Sequence, residues 1–326
     1  MQLTKCPTPS EPGACNMQEG RAEGSGGQSG YGEDAGRPGR PGTRRSAESW
    51  YQFTGQPNDR YALDNEGGSL VDNWKFFDIT HREHIVCNPS SIEKLDQLVS
   101  LVRLKRDAHV LEIATGKGEF IIRLAERYGI EGVGVDLSPY HIADAKSKHQ
   151  KRAPDARLVF LEKDGADFQP EKPESLDLVA CIGASWIYGG HRGTLKALER
   201  MAAKDSWIVV GEPYWRHEPE TAYLEAIGQE RNSFGTHSEN AEAGKEFGLE
   251  LAYTLVSSQD DWDRYEGLQW YAAEEWAGGH AKDPDVEQVL KRVRESKAAY
   301  LRWGRETLGW AIYVFKKGGY STFLVG

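Results

Sequence analysis

The chain has 326 residues, 39% of them hydrophobic and 28% charged, with 10 Trp, 14 Tyr and 10 Phe. That allows one large globular domain or two modest ones and excludes collagen-like, coiled-coil and wholly disordered classes. The formal charge of −10 argues against general affinity for a nucleic-acid backbone, which calls for a basic face. No run of about 18 apolar residues is present, so no membrane-spanning helix is expected. The first residues lack the basic start and apolar stretch of a secretory signal. Cys6, Cys15, Cys87 and Cys181 are scattered and form no CxxC pair, so a reducing, cytoplasmic setting is expected, with no disulfide framework.

Residues 1–45 are rich in Gly, Pro, Ser and charge and are expected to be a disordered tail, because they cannot bury enough apolar surface to fold. Residues 46–106 read as an N-terminal cover, aromatic-rich but poorly periodic up to Asn88. A helix over 90–104 follows, with Ile92, Leu95, Leu98, Val99 and Val102 at helical spacing and Ser90 or Ser91 as N-cap. From residue 107 apolar runs of strand length alternate with helical patterns. Strands are predicted over 109–113, 132–135, 158–161, 176–182 and 207–211, and helices over 120–128, 140–151 and 194–203. Such alternation means right-handed βαβ units on a parallel sheet covered on both faces, a doubly wound α/β core over 107–257. Beyond Glu212 the rhythm loosens, with helices over 220–230 and 241–247 and a strand over 249–256. A helical insertion over 258–308 follows, with helices at 262–276 and 285–305; a last strand, 310–315, lies in the closing segment 309–326.

The chemistry is concentrated at the carboxyl ends of the strands. In VLEIATGKGE, from Val110 to Glu119, an apolar strand ends in a Gly-containing turn that opens into a helix. Small residues there let a ligand touch the main chain, and the helix N-terminus offers free N–H groups. Twenty residues past Gly116 stands Asp136, at the tip of the second strand, placed to accept both hydroxyls of an adenosine ribose. Asp164 ends the third strand, and the fourth runs into Cys181, Ile182, Gly183 and Ala184. Taken singly, Gly116 and Gly118 can be steric turn residues, Asp136 a helix cap and Asp164 a turn former. Four successive strand ends bearing such residues point to a ligand site.

These segments resemble the class I S-adenosylmethionine-dependent methyltransferases, in a bacterial small-molecule branch of mostly uncharacterised members. Glu112 to Glu119 is similar to their first motif, Val133 to Asp136 to the acidic one, and Asp164-Gly165-Ala166 to the adenine-edge motif. The resemblance covers residues 107–213 well and the rest loosely. It implies a doubly wound, seven-stranded Rossmann-like sheet with an antiparallel last strand, an N-terminal cover and a helical insertion. It also implies S-adenosylmethionine as cofactor. Ala114, Thr115, Gly116 and Gly118 would hold the methionine portion, with Glu112 beneath it near the amino group. Asp136 would bind the ribose, Leu137 would cover the adenine, and Asp164 with Gly165 or Ala166 would meet its edge. Cys181, Ile182 and Gly183 would line the passage to the sulfonium. One departure is Ala114, where the family has a glycine; alanine is tolerable there if the backbone stays at φ < 0.

A small-molecule acceptor is expected, with no nucleic-acid or membrane partner. Trp186, Tyr188, Tyr214, Trp215, Trp262, Tyr265 and Trp270 are the candidate acceptor residues, as an aromatic cage or as packing. The clusters after the fourth and fifth strands are expected to face each other across the sulfonium. His191, His84 and Glu212 are candidate bases, needed only if the acceptor enters protonated. His81, His84 and Cys87 have no metal-ligand spacing, and no metal is expected. Two alternatives stand beside this reading. A nicotinamide-dependent oxidoreductase predicts a fuller G-x-G-x-x-G turn, and a non-catalytic cofactor-binding protein predicts binding without turnover.

Overall fold

The computed structural model describes residues 71–318 apart from Pro173. The tail expected over 1–45, the first part of the cover segment and the last eight residues lie outside the described residues.

Helix α1 (Asn73–His81) opens on Asp72, whose side chain accepts from Trp74 N, and buries Phe76, Ile79, Thr80 and His81. It lies where the sequence reading found no periodic element. Helix α2 (Ile92–Leu101) is capped by Ser91, which accepts from Lys94 N, and turns Leu95, Leu98 and Val99 inward. The α/β core then runs β1 (His109–Ile113), α3 (Glu119–Tyr128), β2 (Glu131–Asp136), α4 (Pro139–Arg152), β3 (Arg157–Glu162) and β4 (Leu176–Ile182). Pro139 at the first helical position, with Ser138 as cap, makes α4 begin directly after the second strand. Glu119 pins α3 to α4: its buried carboxylate meets Arg123, Lys148 and Arg152, and those partners outweigh burial and hold it down at about 2.

Helix α5 (His191–Met201) passes straight into β5 (Ala202–Trp215), a strand of 14 residues. The expected helix end at 203 is therefore two residues late, because Ala202 already has extended backbone. Next come α6 (Thr221–Ile227), α7 (His237–Glu242) with a 3₁₀ turn, and β6 (Leu249–Val256). The insertion contains α8 (Gln259–Gly279), which starts on a Ser258–Asp261 capping box, and α9 (Val286–Ala299), which runs into a π-helical turn (Tyr300–Gly304). Strand β7 (Leu308–Lys317) completes the order.

The sheet order is β3-β2-β1-β4-β5-β7-β6. The ladders joining the first five strands are parallel, and β7 runs antiparallel to both neighbours. The strand order reverses between β1 and β4, the switch point where open α/β sheets bind ligands. Successive β7 residues serve opposite faces: Trp310, Ile312 and Val314 join the cluster of α2, α3 and α8, while Tyr313 and Phe315 join that of α5. A third cluster packs Phe76 and Ile79 of α1 against Ala273, Trp276 and Ala277 of α8 and Val289 and Val293 of α9. Cover and insertion thus form one helical layer above the strand ends.

Candidate active site

Two adjoining cavities lie at the carboxyl edge of the sheet. The first, about 170 Å³, is lined by Ala114, Gly116, Asp136, Leu137, Gly165, Ile182 and Gly183, together with Trp186, Ile187, His141 and, from the cover, Trp74, Phe77, His81 and Cys87. The turn after β1 carries three left-handed residues, Ala114 (φ 52°), Gly116 (φ 53°) and Gly118 (φ 70°). The condition set for Ala114 is therefore not met: an L side chain sits where glycine is at ease. The Asp136 carboxylate accepts from Gly116 N through Oδ2 and from Ser138 N through Oδ1, both at 2.8 Å. Ser138, and not Asp136, is the cap of α4. A carboxylate offers about four acceptor positions, so about two remain for a ligand's hydroxyls.

Glu112, Thr115, Gly118, Asp164, Ala166 and Cys181 stand outside that lining. Thr115 Oγ1 donates to Glu112 Oε2 at 2.6 Å, and burial pushes the Glu112 carboxyl up to about 8. Asp164 accepts from Ala166 N at 2.8 Å and so caps the turn Gly165–Asp167. Cys181 is fully buried under the sheet's edge.

The second cavity, about 200 Å³, is lined by Phe77, His81, Gly183, Pro213, Tyr223, Gln229, Phe234, Trp262, Tyr265, Glu266, Tyr300 and Trp310, among others. Phe77, His81, Gly183 and Tyr265 border both cavities. At Gly183 (φ 99°) an added Cβ would stand 3.2 Å from the Trp310 ring, so both backbone and space call for glycine at this junction. Burial pushes the Glu266 carboxyl up to about 7, the neighbouring Trp270 indole opposing.

Several acceptor-side expectations are corrected by this geometry. Of the seven aromatics named from the sequence, Trp262 and Tyr265 line the second cavity and Trp186 the first. Tyr188 donates to Gly165 O at 2.8 Å and acts as a brace. Tyr214 covers Gly309 of β7 and lies tilted against the His237 ring, and Trp215 donates to Arg231 O inside a satellite cluster. Trp270 borders a third chamber, which shares Phe77, Glu266, Gln269 and Ser296 with the second. The clusters after β4 and β5 do not face each other because β5 runs on to Trp215, paired with β7, and carries its aromatics past the site.

The three candidate bases are also placed elsewhere. His191 Nε2 meets Asn240 O at 2.9 Å and its ring packs on Tyr313, on the face opposite the second cavity. His84 Nε2 donates to Tyr265 O at 2.9 Å, anchoring α8. Burial lowers both imidazoles to about 4. Glu212 lies beneath Ser185 with Oε2 unpartnered, and burial raises its carboxyl to about 8. Phe77, Pro213 and His141 were not singled out from sequence. His141, in the first turn after Asp136, has Nδ1 3.8 Å from Oδ1 of that residue, a position that strand–turn–helix spacing alone could have indicated.

Comparison with known proteins agrees with this architecture. A family model described as a methyltransferase domain matches residues 110–204. The uncharacterized protein YjhP of Escherichia coli (strain K12) is 30% identical over 245 residues, 74% of this chain and 98% of that protein. A SAM-dependent methyltransferase from Geobacter sulfurreducens, solved with S-adenosyl-L-homocysteine, superposes with TM-score 0.70 at 29% identity, covering 74% of this chain and 97% of that one. One from Thiobacillus denitrificans, also with S-adenosyl-L-homocysteine, gives TM-score 0.69 at 31% identity and the same coverage. The fold and the strand-end site define a Rossmann-like methyltransferase. The chain belongs to the class I S-adenosylmethionine-dependent methyltransferases and shares its group with YjhP. It is an enzyme that uses S-adenosylmethionine, and the oxidoreductase and non-catalytic alternatives fall away.

The residues present suit that cofactor. A tight left-handed turn brings main chain to the cavity, a carboxylate with open acceptor positions stands beside it, and Leu137 and Ile187 give apolar flanks for a flat base. Bound there, S-adenosylmethionine supplies a methyl group on a sulfonium whose leaving group is a neutral thioether. The protein's part is alignment and exclusion of water. Among the described residues no group of His, Cys, Asp and Glu is arranged to hold a metal, and no helix is long and apolar enough to cross a membrane.

Proposed function

We propose that the enzyme methylates a small-molecule acceptor held in the second cavity, with the methyl group passing through the junction at Gly183. In this reading Asp136 takes the ribose hydroxyls, the turn from Ala114 to Gly118 holds the methionine portion above Glu112, and Leu137 and Gly165 contact the adenine. The observation that carries the proposal is the adjacency of the cavities, which share Phe77, His81, Gly183 and Tyr265. A chamber of about 200 Å³ under two insertion helices suits a metabolite, since a 150 Å³ cavity already admits benzene. The charge of −10 supports the exclusion of nucleic acid, and the free thiols of Cys87 and Cys181 support a reducing, cytoplasmic setting.

The test uses methyl-labelled S-adenosylmethionine and a cell extract split into small-molecule and macromolecular fractions. Label should enter the small-molecule fraction. Label confined to RNA or protein would overturn the proposal.

A further inference from the structure

The junction of the two cavities holds a continuous chain of hydrogen bonds. Thr80 Oγ1 lies 3.0 Å from Phe76 O and 3.0 Å from His81 Nδ1, and His81 Nε2 lies 3.0 Å from Tyr265 Oη. A carbonyl only accepts, so the Thr80 hydroxyl proton is committed to Phe76 O. Its oxygen then accepts from His81 Nδ1–H. This leaves the lone pair of the imidazole on Nε2, and Tyr265 donates its phenolic proton to it. The Tyr265 oxygen is thereby left with only lone pairs to offer the cavities. Burial, with His84, His141 and Lys117 nearby, holds His81 neutral and makes it a weak base, so it takes a proton only as the sulfonium charge is lost.

We propose that Tyr265 and His81 form a proton relay for an aromatic acceptor methylated at a phenolic hydroxyl. The inference rests on the acceptor chamber proposed above. An aromatic amine is already neutral and attacks without a base, and a thiol, at about 8.5, ionises more readily than a phenol. A phenol, with a pKa of about 10, needs a proton acceptor at the reacting atom. Phe77, Tyr223, Trp262, Tyr300 and Trp310 provide flat surfaces for a ring.

As the acceptor oxygen forms its bond to the methyl carbon, the carbon–sulfur bond breaks and its electron pair stays on sulfur. The acceptor's proton passes to Tyr265 Oη while Tyr265's own proton passes to His81 Nε2. One positive charge, on sulfonium before and imidazolium after, is conserved, so the buried site carries the same net charge throughout. The proton leaves His81 after product release.

Methyl transfer to phenols of different acidity tests this. The full chain with S-adenosylmethionine is given phenol, which is un-ionised near neutral pH, and 4-nitrophenol at a pH above its own pKa, where it arrives as the phenolate. His81→Gln keeps an acceptor oxygen for Tyr265 but cannot take a proton; Tyr265→Phe removes the relay oxygen. Both should lower single-turnover transfer to phenol at least about tenfold, 1.4 kcal/mol, and transfer to 4-nitrophenolate much less. Equal losses on the two acceptors, or no loss on phenol, overturn the relay alone. If the wild type methylates neither acceptor, the acceptor chamber falls and the relay with it.

Discussion

Lys117 Nζ donates to the carbonyl oxygens of His81 (2.9 Å) and Arg82 (3.3 Å), so a residue of the cofactor turn caps the end of the cover helix α1. The side chain is nearly buried and also lies 3.4 Å from Asp144. Cofactor site and cover are thus one mechanical unit. Lys117→Met should cost about 1.5–3 kcal/mol of stability, the range for hydrogen bonds to a charged group. Amide exchange in α1 should quicken, and affinity for S-adenosyl-L-homocysteine should fall with it. Unaltered exchange in α1 would contradict this coupling.

Ala114 at φ 52° pays for an L side chain in left-handed backbone, roughly 1–2 kcal/mol. Ala114→Gly removes that strain but gives the unfolded chain more freedom, about 0.4–1 kcal/mol. The net gain should be about 0.5–1 kcal/mol, a rise in Tm of about 1–3 °C by calorimetry. A lower Tm would show that the alanine methyl contributes packing that outweighs the strain.

Asp136 supports the turn after β1 through Gly116 N and the start of α4 through Ser138 N. If it also takes two ribose hydroxyls, Asp136→Ala should weaken S-adenosyl-L-homocysteine by roughly 2–4 kcal/mol in calorimetry. Asp136→Asn, which keeps one acceptor oxygen, should lose less. Wild-type affinity in the alanine variant would remove Asp136 from the cofactor site.

Trp262 and Tyr214 separate pocket from packing. Trp262 lines the second cavity, whereas Tyr214 covers Gly309 of β7. Trp262→Ala should lower single-turnover methyl transfer at least about tenfold, 1.4 kcal/mol, with cofactor affinity preserved. Tyr214→Ala should lower Tm while leaving the rate per folded molecule intact. The reverse pattern would move the acceptor to the other side of β5.

Glu212 sets a pH dependence. Its folded carboxyl, raised by burial from 4.5 to about 8, keeps a proton that the unfolded chain has lost. Below the unfolded value both states are protonated and the group is neutral to stability; as pH rises toward 8 it destabilises the fold. Glu212→Gln should therefore match the parent near pH 4 and exceed it by on the order of 2–4 kcal/mol above pH 8. Parallel urea-unfolding curves for the two proteins across that range would refute the assignment.

The sheet was legible because each strand is an apolar run bounded by Gly or Asp, and Ser91, Ser138 and Ser258 cap the helices that follow. Helix α1 was not, because its buried face mixes Phe76 and Ile79 with the polar Thr80 and His81, and the partner of His81 lies on a distant helix. The start of β5 was hidden by the exposed pair Lys204 and Asp205, and its run to Trp215 by Glu212 and Pro213, which break the apolar pattern. That length decides where Tyr214 and Trp215 end up, and so the acceptor cluster read from spacing was misplaced. His81 and Tyr265 are 184 residues apart, and no local signal joins them.

Strand β7 enters the sheet between β5 and β6, although both precede it in the chain. Until residues 308–317 arrive, the 14 residues of β5 present an open edge and β6 has no neighbour. Closure of the sheet is therefore a late, non-local event, of the kind that slows folding and exposes strand edges to other chains. The helices of the insertion lie inside the loop that this closure completes, so one docking step both seals the sheet and lowers the aromatic lid onto it. Chains stopped before Leu308 should self-associate through β5 and should also lack an acceptor chamber.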